Sequence, residues 1–258
     1  MTSGGGQPTV VVHADEQTTA RDAADRLITA LAEAQAARGS ASVVLTGGGI
    51  GIAMLREVAG SSRRDEVDWP TVEVFWGDER FVPAGDAERN DAQAREALLD
   101  ALPLDPARVH PMAASDAPED AGGGDPDLAA DAYAKTLSAA ASRLGGGAAI
   151  PAFDVLLAGC GPEGHVLSVF PDSPAVHAAA AGVVGVRDCP KPPPTRVSLT
   201  LPAARHAREV WLVAAGGGKA EAIARAHGGA SEVDVPLAGL RGTERTLWLL
   251  DEAAAAQL

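Results

Sequence analysis

Five short segments of this 258-residue chain hold residue types that can do chemistry. The richest is GCGPEGHVLSVFP at 159–171, where a glycine–proline turn carrying Glu163 delivers His165 to a position where a helix could start. A neutral imidazole there can take a proton from water near pH 7. GDERFVP at 77–83 sets Asp78, Glu79 and Arg80 side by side directly after an apolar run. Arginine forks onto a phosphate or carboxylate, and an acid beside it can hold its orientation. Gly47-Gly48-Gly49-Ile50-Gly51 is not a dinucleotide fingerprint, because GxGxxG counted from Gly47 would need glycine where Ile52 stands. What it offers is generic: backbone N–H groups open to an anion, and the positive end of a helix beginning near Ile50. GGGK at 216–219 puts Lys219 at the mouth of another helix, yet it is no P-loop, since Ala220 follows the lysine and Val213 replaces the first glycine. CPKPPPTR at 189–196 flanks three prolines with Lys191 and Arg196, a stiff segment able to form one wall of a site. The sum is an anion pocket with one histidine base.

Other candidates carry less. Ser168 and Cys160 lie on no GxSxG elbow and pair with no evident base, so covalent catalysis is disfavoured. No HExxH or Cys/His cluster supports a metal, and nothing calls for a cofactor. His13, His110, His177, His206 and His227 read as surface or capping residues. Lysine occurs at only three positions (135, 191 and 219) and asparagine only at Asn90. In a chain that uses arginine and alanine so freely, those exceptions mark places where an ammonium or carboxamide is needed.

These loops need a frame. Apolar runs at 9–15, 42–49, 72–79, 153–161, 196–201, 209–216 and 246–253 read as strands. Helical stretches at about 16–37, through Met54 and Leu55, at 87–102 and up to Leu144 separate the first of them. Strands apolar on both faces and alternating with helices predict a mainly parallel sheet covered on both sides. TGGG, WGDER, AGCGPEGH and AAGGGK all fall where a strand gives out, and ligands bind beyond the carboxyl ends of such strands. The glycine-rich pieces at 121–124 and 145–147 have linker composition, but the alternation continues past them, so one domain over 1–258 is expected, with 1–8 flexible. A net charge of −14 argues against nucleic-acid or anionic-membrane partners. No run approaches a membrane span and no leader is evident, so a cytoplasmic protein, monomeric or a small homo-oligomer, is expected.

FWGDERFVP followed by Asn90, then FDVLLAGCGPEGHVLSVFPDSP, CPKPPPTRVSLTLP and GGGKAEAI, in that order, resemble the 6-phosphogluconolactonase family over about 10–252. The resemblance implies a three-layer α/β/α fold shared with glucosamine-6-phosphate deaminases. It also implies cofactor-free hydrolysis of 6-phospho-D-glucono-1,5-lactone in the oxidative pentose phosphate pathway. With the residues above, it implies His165 as general base and Arg80 with loop amides as oxyanion donors, with Asp78 or Glu163 orienting one of them. Lys219 and the amides around Gly47, Gly48 and Gly49 would hold phosphate. Arg80, Arg196 and Lys191 would complete the pocket, and Asn90 would contact substrate. The first loop departs from the family's usual GGSTP, Glu163 stands where Asp is usual, and Val166-Leu167 replace Thr-Ala. The competing readings are a sugar-phosphate deaminase or isomerase, which has an LDEY-like loop in place of GDERFVP, and a non-catalytic sugar-phosphate-binding module.

Overall fold

The computed structural model describes residues 7–144 and 149–258, so most of the segment expected to be flexible at 1–8 and the glycines at 145–147 lie outside the described residues. Among the described residues, seven strands form one wholly parallel sheet: β1 (Thr9–His13), β2 (Ala41–Leu45), β3 (Val72–Trp76), β5 (Val109–His110), β6 (Val155–Ala158), β9 (Glu209–Ala214) and β10 (Arg245–Asp251). Their spatial order is β1-β10-β9-β6-β2-β3-β5. The chain runs outward from β2 through β3 to β5, then restarts at β6 and runs the other way. A crevice therefore opens beyond the carboxyl ends of β2 and β6, where the winding reverses.

Strand alternation builds both faces of the core. Val43 and Leu45 of β2, Val74 and Trp76 of β3, and Trp211 and Val213 of β9 point to one side, where they meet Leu27, Ile28 and Leu31 of α1 (Glu16–Arg38) and Met54 and Leu55 of α2 (Gly49–Gly60). Val44, Phe75, Leu156 and Leu212 point to the other side. There they meet Tyr133 and Leu137 of α4 (Pro126–Leu144) and Ile223 of α6 (Ala220–His227). The short α3 (Asn90–Ala97) packs on α2, and a single turn, α5 (Leu201–Ala204), leads towards β9. Side chains two apart on a strand share a face, so apolar residues at every position require cover on both sides. That gives the expected three layers.

Three elements depart from the sequence expectation. The run at 72–79 is not one strand: β3 ends at Trp76, and after Gly77 the chain enters β4 (Asp78–Arg80) of a separate sheet. The run at 196–201 likewise leaves the parallel sheet, as β8 (Arg196–Leu199) lies antiparallel between β4 and β7 (Val183–Val186). The expected helix at 87–102 is shorter, ending at Ala97 before a 3₁₀ turn at Leu99–Ala101. Among the described residues no helix is long and apolar enough to cross a membrane.

The step from β3 to β4 leaves a backbone edge to satisfy. Trp76 pairs with Leu45 on one side, but β5 ends opposite Phe75 on the other. The Tyr133 hydroxyl fills the gap, accepting from the Trp76 N–H at 2.9 Å and donating to the Trp76 carbonyl at 3.1 Å. Tyr133→Phe should therefore strand two buried backbone groups and cost about 1–3 kcal/mol, read as a lower midpoint in urea unfolding with an unchanged slope.

Candidate active site

Beyond the carboxyl ends of β9, β6, β2 and β3, four neighbouring strands, the loops enclose a cavity of about 260 Å³. Gly47, Gly48 and Gly49, Asp78, Arg80, Asn90, His165, Lys191, Arg196 and Lys219 all line it, as the sequence reading expects. Glu163 is absent from the lining and instead pairs with His165, which is part of it. Sequence reasoning passes over Thr46, Ile50, Leu167 and Pro192, and discounts Cys160, all of which also face the cavity. Arg80, Lys191, Arg196 and Lys219 outnumber the acids Asp78 and Glu163, so a chain of net charge −14 carries a locally cationic pocket.

The first wall is the turn from β2 into α2. Gly48 caps the helix at φ +86°, a backbone region that favours glycine, and no side chain caps the first turn. Its opening N–H groups lack intrahelical partners and sit beside the cavity, a ready anion site. Gly47 is glycine for want of room: a Cβ there would run into the Asn90 carboxamide.

The second wall is β4. Asp78 is buried, and its Oδ2 accepts from the Ser168 hydroxyl at 2.6 Å. Glu79, also buried, accepts from the backbone N–H groups of Arg80 and Asn90 at 2.7 Å and of Asp91 at 2.9 Å. Burial pushes its carboxyl up to about 7, against the pull of Arg89 and those amides. Arg80 Nη1 donates to Asn90 Oδ1 at 2.6 Å and to the Glu88 carbonyl at 2.7 Å, while its Nε is buried without a partner among the described residues.

The third wall carries His165. No helix starts there, contrary to the sequence reading; isolated bridges join Cys160 to Val166 and Val166 to Val169, and Leu167 sits at φ +54°. Those constraints shape a compact loop and exclude a helix-capping role for the histidine. His165 Nδ1 lies 2.8 Å from Glu163 Oε1, and the ring stacks on Phe170 with centroids 4.3 Å apart. With Nδ1 engaged, Nε2 is the nitrogen left for chemistry. Burial lowers the pKa of His165; Glu163 pulls it back up in part, and nearby Lys191 lowers it again. Glu163 itself would be raised by burial, but its own backbone N–H, His165 and Lys191 together hold it below the ordinary carboxylate range. The downward shift favours the neutral imidazole, the form that can accept a proton. An NMR titration should place His165 below the ordinary imidazole value, and lower still in Glu163→Gln, which removes the carboxylate favouring the imidazolium. An upward shift in that variant would contradict the pairing.

Lysine and arginine close the site. Lys219 Nζ donates to the Ala215 carbonyl at 2.9 Å. The Arg196 guanidinium is held by the carbonyls of Lys191, Pro192 and Pro193, each at 3.2 Å. Lys191 Nζ lies 3.7 Å from Glu163 Oε2. Burial pushes the Cys160 thiol up to about 11, which disfavours the nucleophilic thiolate. Among the described residues no group of three or more His, Cys, Asp or Glu side chains converges as a metal site.

The model of the glucosamine-6-phosphate isomerases/6-phosphogluconolactonase family matches residues 14–248. The chain belongs to this family. Within it, a 6-phosphogluconolactonase of Streptomyces coelicolor is 58% identical over 251 residues, covering 97% of this chain and 95% of that one. One from Mycobacterium tuberculosis is 53% identical over 236 residues, 92% of each chain. The solved 6-phosphogluconolactonase of Trypanosoma brucei superposes with a TM-score of 0.79 at 26% identity, covering 98% of this chain and all of that one. A monomeric glucosamine-6-phosphate deaminase shares the fold with a TM-score of 0.76 at 16% identity, over 97% of this chain and 100% of that one. The family's two named activities thus share one architecture, and the residues at the strand ends must distinguish them.

Proposed function

We infer that this chain hydrolyses 6-phospho-D-glucono-1,5-lactone to 6-phospho-D-gluconate, the lactone-opening step of the oxidative pentose phosphate pathway. The observation that carries this reading is the Glu163–His165 pair, with Nε2 unengaged, set among four cationic side chains in one cavity. Lys219, Arg196 and the amides of Gly47, Gly48 and Gly49 hold the phosphate. That places the lactone carbonyl toward Arg80 and a water toward His165. His165 Nε2 takes a proton as the water oxygen bonds to the carbonyl carbon, and Arg80 stabilises the oxyanion that develops. Asp78 and Glu163 favour the imidazolium so formed. When the ring C–O bond breaks, the imidazolium returns that proton to the leaving ring oxygen, which becomes a hydroxyl. A δ-lactone is already reactive, so positioning water beside it suffices without a covalent intermediate.

On this reading the chain is one catalytic domain, cytoplasmic, monomeric or a small homo-oligomer, acting on a free sugar phosphate. Hydrolysis of the lactone, followed after subtraction of its spontaneous opening, tests it directly, with glucosamine 6-phosphate as the second substrate. Lactone opening without ammonia release is the expected result. Ammonia release with no effect on the lactone would overturn the reading in favour of a deaminase, and inactivity on both in favour of a binding module.

A further inference from the structure

Asn90 lines the cavity, and the sequence reading puts it in contact with substrate. Its polar atoms are already engaged elsewhere. Oδ1 accepts from Arg80 Nη1 at 2.6 Å, Nδ2 donates to the Asp78 carbonyl at 2.8 Å, and its backbone N–H donates to Glu79 Oε1 at 2.7 Å. The residue is 2% exposed and packs so closely on Gly47 that a Cβ there would meet it. We propose that Asn90 is a positioning residue: it fixes the Arg80 guanidinium beside the Gly47 turn and makes no contact with substrate itself. This rests on the preceding reading that Arg80 faces the lactone carbonyl.

The chemistry of the contacts supports that division of labour. A free arginine samples many rotamers, and fixing it costs entropy that must be met before the substrate arrives. Asn90 Oδ1 and the Glu88 carbonyl both accept from Nη1, which fixes the plane of a guanidinium that lines the cavity. A guanidinium held in one plane keeps its N–H donors in a fixed direction. Glu79 anchors the arrangement from behind, since one carboxylate oxygen takes the N–H groups of both Arg80 and Asn90. Aspartate at position 90 would set an oxygen against the Asp78 carbonyl. Alanine or serine would release Nη1. A carboxamide meets both demands, in keeping with this being the chain's only asparagine.

A double-mutant cycle on lactone hydrolysis tests the proposal, with Asn90→Ala, Arg80→Ala and the pair compared by kcat and KM. Asn90→Ala alone should lower kcat about tenfold with little change in KM, because a misplaced donor costs transition-state rather than ground-state binding. In the Arg80→Ala background the same substitution should change kcat less than about twofold, since a residue acting only through Arg80 has nothing left to position. Asn90→Ser serves in the same cycle if the alanine variant unfolds. A tenfold loss in both backgrounds would overturn the proposal in favour of direct substrate contact or a structural role, as would unchanged kcat in the single variant. If the wild-type protein fails to open the lactone, the reading of function fails first and this inference with it, a result distinct from additivity in an active enzyme.

Discussion

His165→Asn is expected to lower kcat for lactone hydrolysis about 10²–10⁴-fold and to leave KM nearly unchanged. The size reflects what the base does: removing a proton from water is a transition-state contribution, absent when substrate merely sits in the pocket. The direction follows from the geometry. Glu163 engages Nδ1 and Phe170 stacks on the ring, so Nε2 is the nitrogen left to accept a proton on this reading. No helix begins at this residue, so its loss removes no cap, and the melting temperature of the same preparation should stay close to that of the wild type. Near-wild-type turnover, or a collapse in stability matching the lost activity, would contradict the assignment.

Lys219→Ala should instead act on binding. A phosphate carries close to two charges, and a charge-assisted hydrogen bond contributes about 1.5–3 kcal/mol, equivalent to roughly 10–100-fold in affinity. Phosphate is remote from the reacting carbonyl and is held alike in ground and transition states, so KM should rise by that factor while kcat changes little. Lys219 donates to the Ala215 carbonyl and lines the same cavity as the Gly47–Gly49 amides. With a net charge of −14, the chain as a whole repels a dianion, and the local cations must supply the attraction. An unchanged KM in steady-state assays would move the phosphate to other residues.

Much of this arrangement is legible in the residues alone, for physical reasons. Apolar strands that stop at glycine-rich loops must bury both faces, and that requirement puts TGGG, GDER, GPEGH and GGGK at one edge of a parallel sheet. What the local sequence does not encode is which sheet a strand joins. RVSL at 196–199 reads as a strand like its neighbours, and only its pairing with Asp78–Arg80 and Val183–Val186 sends it antiparallel. Three charged residues are too few and too polar to read as a strand, so the break after Gly77 goes unseen. The GPEGH segment looks like the start of a helix because glycine and proline punctuate helices as readily as loops. The bridges at Val166 and the positive φ of Leu167 decide otherwise. Ser168 reads as a poor nucleophile, and nothing nearby in sequence reveals its hydrogen bond to Asp78, 90 residues earlier. The supporting contacts of Glu79 and Asn90 are likewise products of folding rather than of motif.

The claim that His165 is the base is tested most directly by the pH dependence of kcat for lactone hydrolysis, measured for the wild type and His165→Asn with spontaneous opening subtracted at every pH. Saturating substrate confines the profile to groups ionising in the enzyme–substrate complex. The wild type should lose activity as pH falls through the ionisation of one group, because protonated His165 cannot accept a proton from water. The variant should run about 10²–10⁴-fold lower and lack that acid limb. The same limb at undiminished height in His165→Asn would assign the base to another residue and contradict the account.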